Sequence, residues 1–177
     1  MSVIINGSAG VTTNSGAVYD SIQRGTAVTA SGTSVDFTSI PSWVKRITVM
    51  FNGVSTSGTS IVQIQLGDSG GVETTGYSGV TVRSGASNTY TSAYSSGVLT
   101  QTAMAAASTY IGQIVFTNIN GNSWLASGMT ANTTSPTNDS CFICGAKSLS
   151  DVLTQVRITT VNGTDTFDAG TINILYE

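Results

Sequence analysis

Val156-Arg157-Ile158-Thr159-Thr160-Val161-Asn162-Gly163-Thr164-Asp165-Thr166-Phe167-Asp168-Ala169-Gly170-Thr171-Ile172-Asn173-Ile174-Leu175-Tyr176-Glu177 reads as strand, glycine-punctuated loop, strand. Val156 and Ile158 alternate with Arg157 and Thr159. Ile172, Ile174 and Tyr176 alternate with Thr171, Asn173 and Leu175. Successive side chains of a strand point to opposite faces, so this period of two marks strands with one buried face. The same pattern recurs upstream. Trp43, Ile47, Val49 and Phe51 share one parity, Val62, Ile64 and Leu66 another, and Tyr110, Ile114 and Phe116 a third. Trp124 to Thr130 and Phe142 to Ala146 are weaker members. Gly, Asn, Asp and Ser clusters separate these runs, and helical periodicity is nearly absent, with Thr102 to Ala107 readable as a short helix or a turn. Many short strands without intervening helices predict an all-β fold, an antiparallel β-sandwich of jelly-roll-like type.

Two strands share a design. Arg46-Ile47-Thr48 leads to Asn52-Gly53, and Arg157-Ile158-Thr159 leads to Asn162-Gly163. Asn-Gly favours positive φ and hence a tight turn, so the two are read as equivalent strands of two sheets, each ending in a turn.

Composition narrows the function. The chain has 177 residues, enough for one domain with a real core. Only 8% of its residues are charged, against about 25% in an average soluble protein, so Ser, Thr and amides solvate it. Hydrophobic content of 40% and a net charge of −3 argue against disorder. Six Lys and Arg with a pI near 4.6 argue against nucleic acid, which needs a clustered basic surface. No apolar run approaches the roughly 18–20 residues of a membrane span, so no membrane insertion is expected. Met1-Ser2-Val3-Ile4-Ile5-Asn6 lacks the basic and apolar regions of a secretory signal.

Residues 1–32 are rich in Gly, Ser and Thr with scattered apolar residues: Val3, Ile4, Ile5, Val18, Tyr19 and Ile22. They are read as an extended anchoring arm that orders on a partner, with Val3, Ile4, Ile5, Tyr19 and Ile22 as its contacts. Residues 33–177 are then the sandwich domain.

No motif supplies catalysis. Gly67-Asp68-Ser69-Gly70-Gly71 matches the nucleophile sequence of chymotrypsin-like proteases, but the chain has no histidine to take the serine proton. A dyad with Lys45 or Lys147 has nothing to place it, and a glycine-rich turn after Leu66 accounts for every residue. The carboxylate pairs Asp68/Glu73 and Asp165/Asp168 could serve glycoside cleavage or calcium, yet each pair lies within one loop, where Asp caps its own backbone. Cys141 and Cys144 lack the further ligands of a zinc site. Three apart on a strand, they point to opposite faces and read as small apolar residues rather than a disulfide. No catalytic residue, metal or cofactor is assigned, and the chain is read as a non-enzyme. Residues 77–97 are the most suggestive region: Tyr77, Arg83, Asn88, Tyr90 and Tyr94 among Ser, Thr and Gly form the mixture favoured by recognition loops. They are candidates for binding a partner, such as a surface glycan.

Three blocks carry a family resemblance: Ile40-Pro41-Ser42-Trp43-Val44-Lys45-Arg46-Ile47-Thr48-Val49-Met50-Phe51-Asn52-Gly53-Val54-Ser55-Thr56-Ser57-Gly58, Gln65-Leu66-Gly67-Asp68-Ser69-Gly70-Gly71, and Val156 to Glu177. Over about residues 33–177 the chain resembles a widespread domain of tailed bacteriophages, often the C-terminal part of tail fibres and related virion surface proteins. Residues 80–140 match only in general character. The resemblance implies a structural role on the virion surface, a β-sandwich, homotrimeric assembly and host attachment, and it supplies no catalytic residues. Other virion proteins would be met through residues 1–32. In long fibres an extended shaft precedes this domain. A short arm in its place points to an appendage tip or, alternatively, to a capsid decoration protein that cements the head lattice.

Overall fold

A computed structural model describes residues 22–85, 88–106, 108–134 and 139–177 in full, and in residues 3–17 the backbone of three strands. Those three, β1 (Val3–Asn6), β2 (Gly10–Thr13) and β3 (Gly16–Ala17), form an antiparallel sheet in chain order. The side chains of Val3, Ile4 and Ile5, and Tyr19 altogether, lie outside the described residues. Ile22 is exposed.

The described residues beyond them form two antiparallel sheets and no helix. The large sheet runs β11 (Thr89–Tyr94), β10 (Tyr77–Ser84), β15 (Ser140–Ser148), β14 (Ser123–Asn132), β13 (Tyr110–Asn120), β7 (Arg46–Thr56), β17 (Phe167–Tyr176) and β4 (Gln23–Arg24), with β5 (Val28–Thr29) also on β17. The small sheet runs β12 (Val98–Leu99), β8 (Val62–Asp68), β16 (Gln155–Thr160) and β6 (Ser34–Phe37), with β9 (Gly71–Val72) folded back on β8. Of the Thr102 to Ala107 stretch, Ala107 lies outside the described residues; 102–106 carry no helix, and Ser108 N donates to Ala105 O at 3.0 Å.

Alternation explains the layers. Ile47, Val49 and Phe51 of β7, Ile114 and Phe116 of β13, and Ile172 and Ile174 of β17 are buried on one side. Val62, Ile64 and Leu66 of β8, Val156 and Ile158 of β16, and Val35 of β6 belong to the same core cluster. Full burial of each such side chain is worth about 1.5–3 kcal/mol against exposure, which is what holds the two sheets face to face. Side chains also bond between the layers. Thr81 Oγ1 on β10 donates to Leu99 O at 2.8 Å, and Thr130 Oγ1 on β14 to Thr100 O at 2.6 Å. The strand order establishes an antiparallel sandwich; it does not by itself establish jelly-roll connectivity.

Several expectations change. Asn162-Gly163 does make a turn, with Gly163 N on Thr160 O at 3.0 Å, but Asn52-Gly53 lies inside β7. β7 is paired on both sides there, and Gly53 (φ 65°) is absorbed as a bulge opposite Gly112 of β13 and Gly170 of β17, which also have positive φ. A Cβ on Gly170 would stand 2.5 Å from the carbonyl of Gly53 and one on Gly112 2.3 Å from Met129 O, so close backbone approach requires those two glycines, while positive φ within the strand, not chain reversal, favours Gly53. The Arg46 and Arg157 strands do fall in different sheets, in β7 and β16. Trp43 precedes β7, is 40% exposed and meets the Tyr176 ring with centroids 6.0 Å apart. Residues 23–32 are not free of the sandwich. β4 and β5 pair with β17, Ala30 is buried and donates its N–H to Gly170 O, and Gly32 bridges to Phe167. The sandwich's own pairing therefore begins at Gln23.

Candidate functional site

The five candidate recognition residues do not form a loop. They lie on the β10–β11 hairpin, because Tyr77–Ser84 pairs with both β15 and β11. Tyr77 and Tyr94 are buried. The Tyr77 hydroxyl accepts from Leu66 N at 2.6 Å and donates to Glu73 O at 3.0 Å, while Tyr94 Oη donates to Cys144 O at 2.8 Å. Burial pushes both phenols well above their ordinary range. These two tyrosines are structural, which corrects the reading of all five as a binding surface. Arg83, Asn88 and Tyr90 remain together near the hairpin tip. Arg83 pairs with Asp139 at 3.2 Å and its guanidinium lies 4.5 Å from the Tyr90 ring centroid; Tyr90 and Asn88 are exposed.

The carboxylates that invited a catalytic reading are engaged in holding the chain. Asp68 accepts from Ser150 Oγ (2.7 Å), Gly70 N (2.8 Å) and Asp151 N (2.9 Å). The Ser150 hydroxyl and then the Gly70 N–H hold its carboxyl below the usual range, against the opposing effect of burial. Burial is the largest influence on Glu73 and raises it. The Lys147 ammonium and the N–H and hydroxyl of Ser150 outweigh that, so its net shift is downward. Lys147 is itself buried, bonded to Glu73 and to Ser148 O. This network ties the β8–β9 turn to the chain joining β15 and β16. Ser69 sits exposed in that turn, 3.4 Å from Asp151 Oδ2, as a turn residue would. Asp165 accepts from Asn162 Nδ2 (2.8 Å) and Ser60 N (2.9 Å), and the Asn162 bond leads in lowering its pKa. Asp168 lies on β17, not in that loop, and accepts from Ser55 Oγ. Among the described residues no three His, Cys, Asp or Glu are grouped to hold a metal. Cys141 and Cys144 are free thiols, one buried and one exposed, as opposite-facing strand positions require.

The two outer faces of the sandwich differ sharply in chemistry. On the small sheet, Arg157 forms a bidentate pair with Asp36 across the strands (2.7 and 2.8 Å), which raises the Arg157 pKa. Gln65 Nε2 donates to Ser96 O and Ser96 Oγ to Gln63 Oε1, so chain 95–97 covers both glutamines. Both are buried, although they alternate along β8 with Val62, Ile64 and Leu66. Beside them lies a cleft of about 630 Å³, lined by hydroxyls such as Ser60, Ser92 and Ser96 and by Ile61, Tyr94 and Val161.

The outer face of the large sheet has no such polar coat. Cross-strand register sets Val82, Phe142, Met129, Gln113 and Met50 in one row, and Val80, Cys144, Ser127, Val115 and Thr48 in the next. Leu125 and Ile111 flank them. Exposure is 47% for Leu125, 51% for Met129, 48% for Phe142, 42% for Ile111 and 37% for Val80. The charged residues of β10 and β13–β15 are Arg83 and Lys147, and both stand at inward-facing positions, opposite or beside buried Cys141 and Trp124. Alternation alone missed this face, since it assumes that one parity is wet. A signal was available: residues 84–138 contain no Asp, Glu, Lys or Arg, and Arg83 and Asp139 close that stretch by pairing with each other.

No protein-family model, curated protein or solved structure matches the chain.

Proposed function

We propose that the chain is a non-enzymatic structural protein of a tailed-bacteriophage virion, displayed on the particle surface at the tip of a tail fibre or shorter appendage and serving host attachment. The observation that supports this most is where the three resembling blocks lie. They are far apart in sequence, yet Ile40–Gly58 contains β7, Gln65–Gly71 the end of β8, and Val156–Glu177 both β16 and β17. β7 pairs with β17 and β8 with β16. The resemblance therefore falls on two hydrogen-bonded strand pairs, one in each layer. Residues 80–140, which match only in character, supply most of the strands β10, β11, β13 and β14 that extend the large sheet.

In this reading residues 1–22 reach other virion proteins, copies of the chain assemble as a homotrimer, and Arg83, Asn88 and Tyr90 are the surviving candidates for host contact. A guanidinium, an amide and an exposed phenol suit a surface glycan. Immunogold labelling of phage particles with antibody against the sandwich tests the proposal. Label at the tail tip supports it, label spread over the head lattice replaces it with capsid decoration, and unlabelled particles refute both.

A further inference from the structure

The outer face of β10, β15, β14, β13 and β7 is built as a protein interface, and we infer that its occupant is a second copy of this chain, packed sheet against sheet. An antiparallel sheet with one wet face presents polar side chains there. The small sheet of this molecule does so, with Arg157 and Asp36. The large sheet instead presents Phe142, Met129, Leu125, Ile111 and Val80, contiguous through the strand register. Exposed apolar patches of this kind mark association sites.

Charge and area point to the occupant. The chain is net negative, but β10 and β13–β15 offer no charge on this face, and Arg46 at the start of β7 stands at its edge paired with Glu177, so the middle of the face meets a second copy without burying an unpaired ion. A charge-selected partner would find nothing complementary to grip. A neutral apolar patch needs no opposite charge on its partner, so copies pack these patches together about the threefold axis of the proposed homotrimer. Nine residues of β14 pair with β15. Five strands at about 4.8 Å spacing and about 3.3 Å rise per residue then give roughly 700 Å² per copy. Stable interfaces bury about 800 Å² per partner, so the face has the right size. Its make-up is mixed: Phe142, Met129 and Leu125 are interspersed with Ser127 and Gln113, whose uncharged polar groups can bond across the contact.

The inference rests on the proposed assembly only for its setting and is tested in solution with the full chain. Sedimentation at micromolar concentration is expected to give a multiple of the 18.1 kDa chain mass. Leu125→Glu with Met129→Glu places carboxylates on two side chains that are already half exposed, so far-UV circular dichroism and the urea midpoint should hold while association weakens about 100-fold or more. Cys144 lies within the same face and gives a readout in the native sequence. A bulky maleimide should label it rapidly in dilute monomer and about tenfold or more slowly in the assembled state, where burial blocks access to the thiolate. A wild-type monomer overturns the inference, as does an oligomer insensitive to both glutamates, which would point to edge pairing at β11. Equal labelling rates in the two states overturn it too. A monomeric chain found on phage particles would sink this inference and the trimer but leave the virion reading; a self-associating chain absent from particles would sink only the virion reading.

Discussion

Gly145→Ala should destabilise the sandwich by about 2–4 kcal/mol, a large effect for one methyl group. Gly145 on β15 stands opposite Gly79 on β10, and the Tyr94 ring lies across both. A Cβ at residue 145 would be 2.1 Å from Tyr94 Oη, 2.9 Å from Cζ and 3.0 Å from Cε2. On the other side the same oxygen lies 2.3 Å from where a Cβ of Gly79 would stand, so it is already against that glycine's backbone and has little room to slide that way. It must swing out of the core. Re-exposing about 100–150 Å² of ring at about 25 cal/mol/Å² costs roughly 3 kcal/mol. The lost bond to Cys144 O adds about 1 kcal/mol, and the better strand propensity of Ala over Gly returns about 0.5–1 kcal/mol. For a chain of this size the midpoint of thermal unfolding should fall by about 6–12 °C. Urea titration followed by circular dichroism, at fixed protein concentration, measures the effect. Tyr94→Ala supplies the decisive partner: once the ring is gone, Ala at residue 145 meets no obstacle, so the double variant should be no less stable than Tyr94→Ala alone. Additive costs, or a Gly145→Ala variant as stable as wild type, would refute the packing argument and restore Tyr94 as a candidate for partner contact.

Two further outcomes follow from the polar network. Lys147→Met keeps the side-chain volume but strands the Glu73 carboxylate, and should cost about 2–3 kcal/mol in urea unfolding, below the range for fully buried pairs because Glu73 is part exposed; adding Glu73→Gln should recover part of it. Asp68, Glu73 and Asp165 have folded-state pKa values lowered from 3.8, 4.5 and 3.8, so the stability they contribute is fully present above those unfolded values and is lost as pH falls through the lower folded ones. With no histidine to titrate, the urea midpoint should be level between about pH 5 and 8 and fall below about pH 4; a slope across the neutral range as steep as the acid one would contradict the assignment.

The fold was legible where one parity was apolar and the other polar. β17 read directly, because Ile172 and Ile174 are buried between neighbours that are not; in β16 Val156 and Ile158 flank half-buried Arg157, although Thr159 is buried as well. Turn chemistry misled at Asn52-Gly53, since a positive-φ glycine serves a bulge inside a doubly paired strand as well as it serves a hairpin. Composition misled at Tyr77–Tyr94. Ser, Thr and Gly on β10 and β11 resemble a loop, but Gly79 and Gly145 are there to seat a tyrosine. Tyr77 and Tyr94 could not be told from Tyr90 by residue type, because burial depends on which strand crosses which. Of the functional surface, the sequence shows the charge-free run from residue 84 to 138, while its gathering onto one sheet face is a property of the β13–β14–β15–β10 register.

A cryo-electron microscopy reconstruction of the intact phage particle tests the central proposal most directly. The account predicts density for the two-layered sandwich at the tail or an appendage tip, in several copies, with the polar small sheet turned outward. Particles whose surface holds no density that fits this sandwich would contradict it.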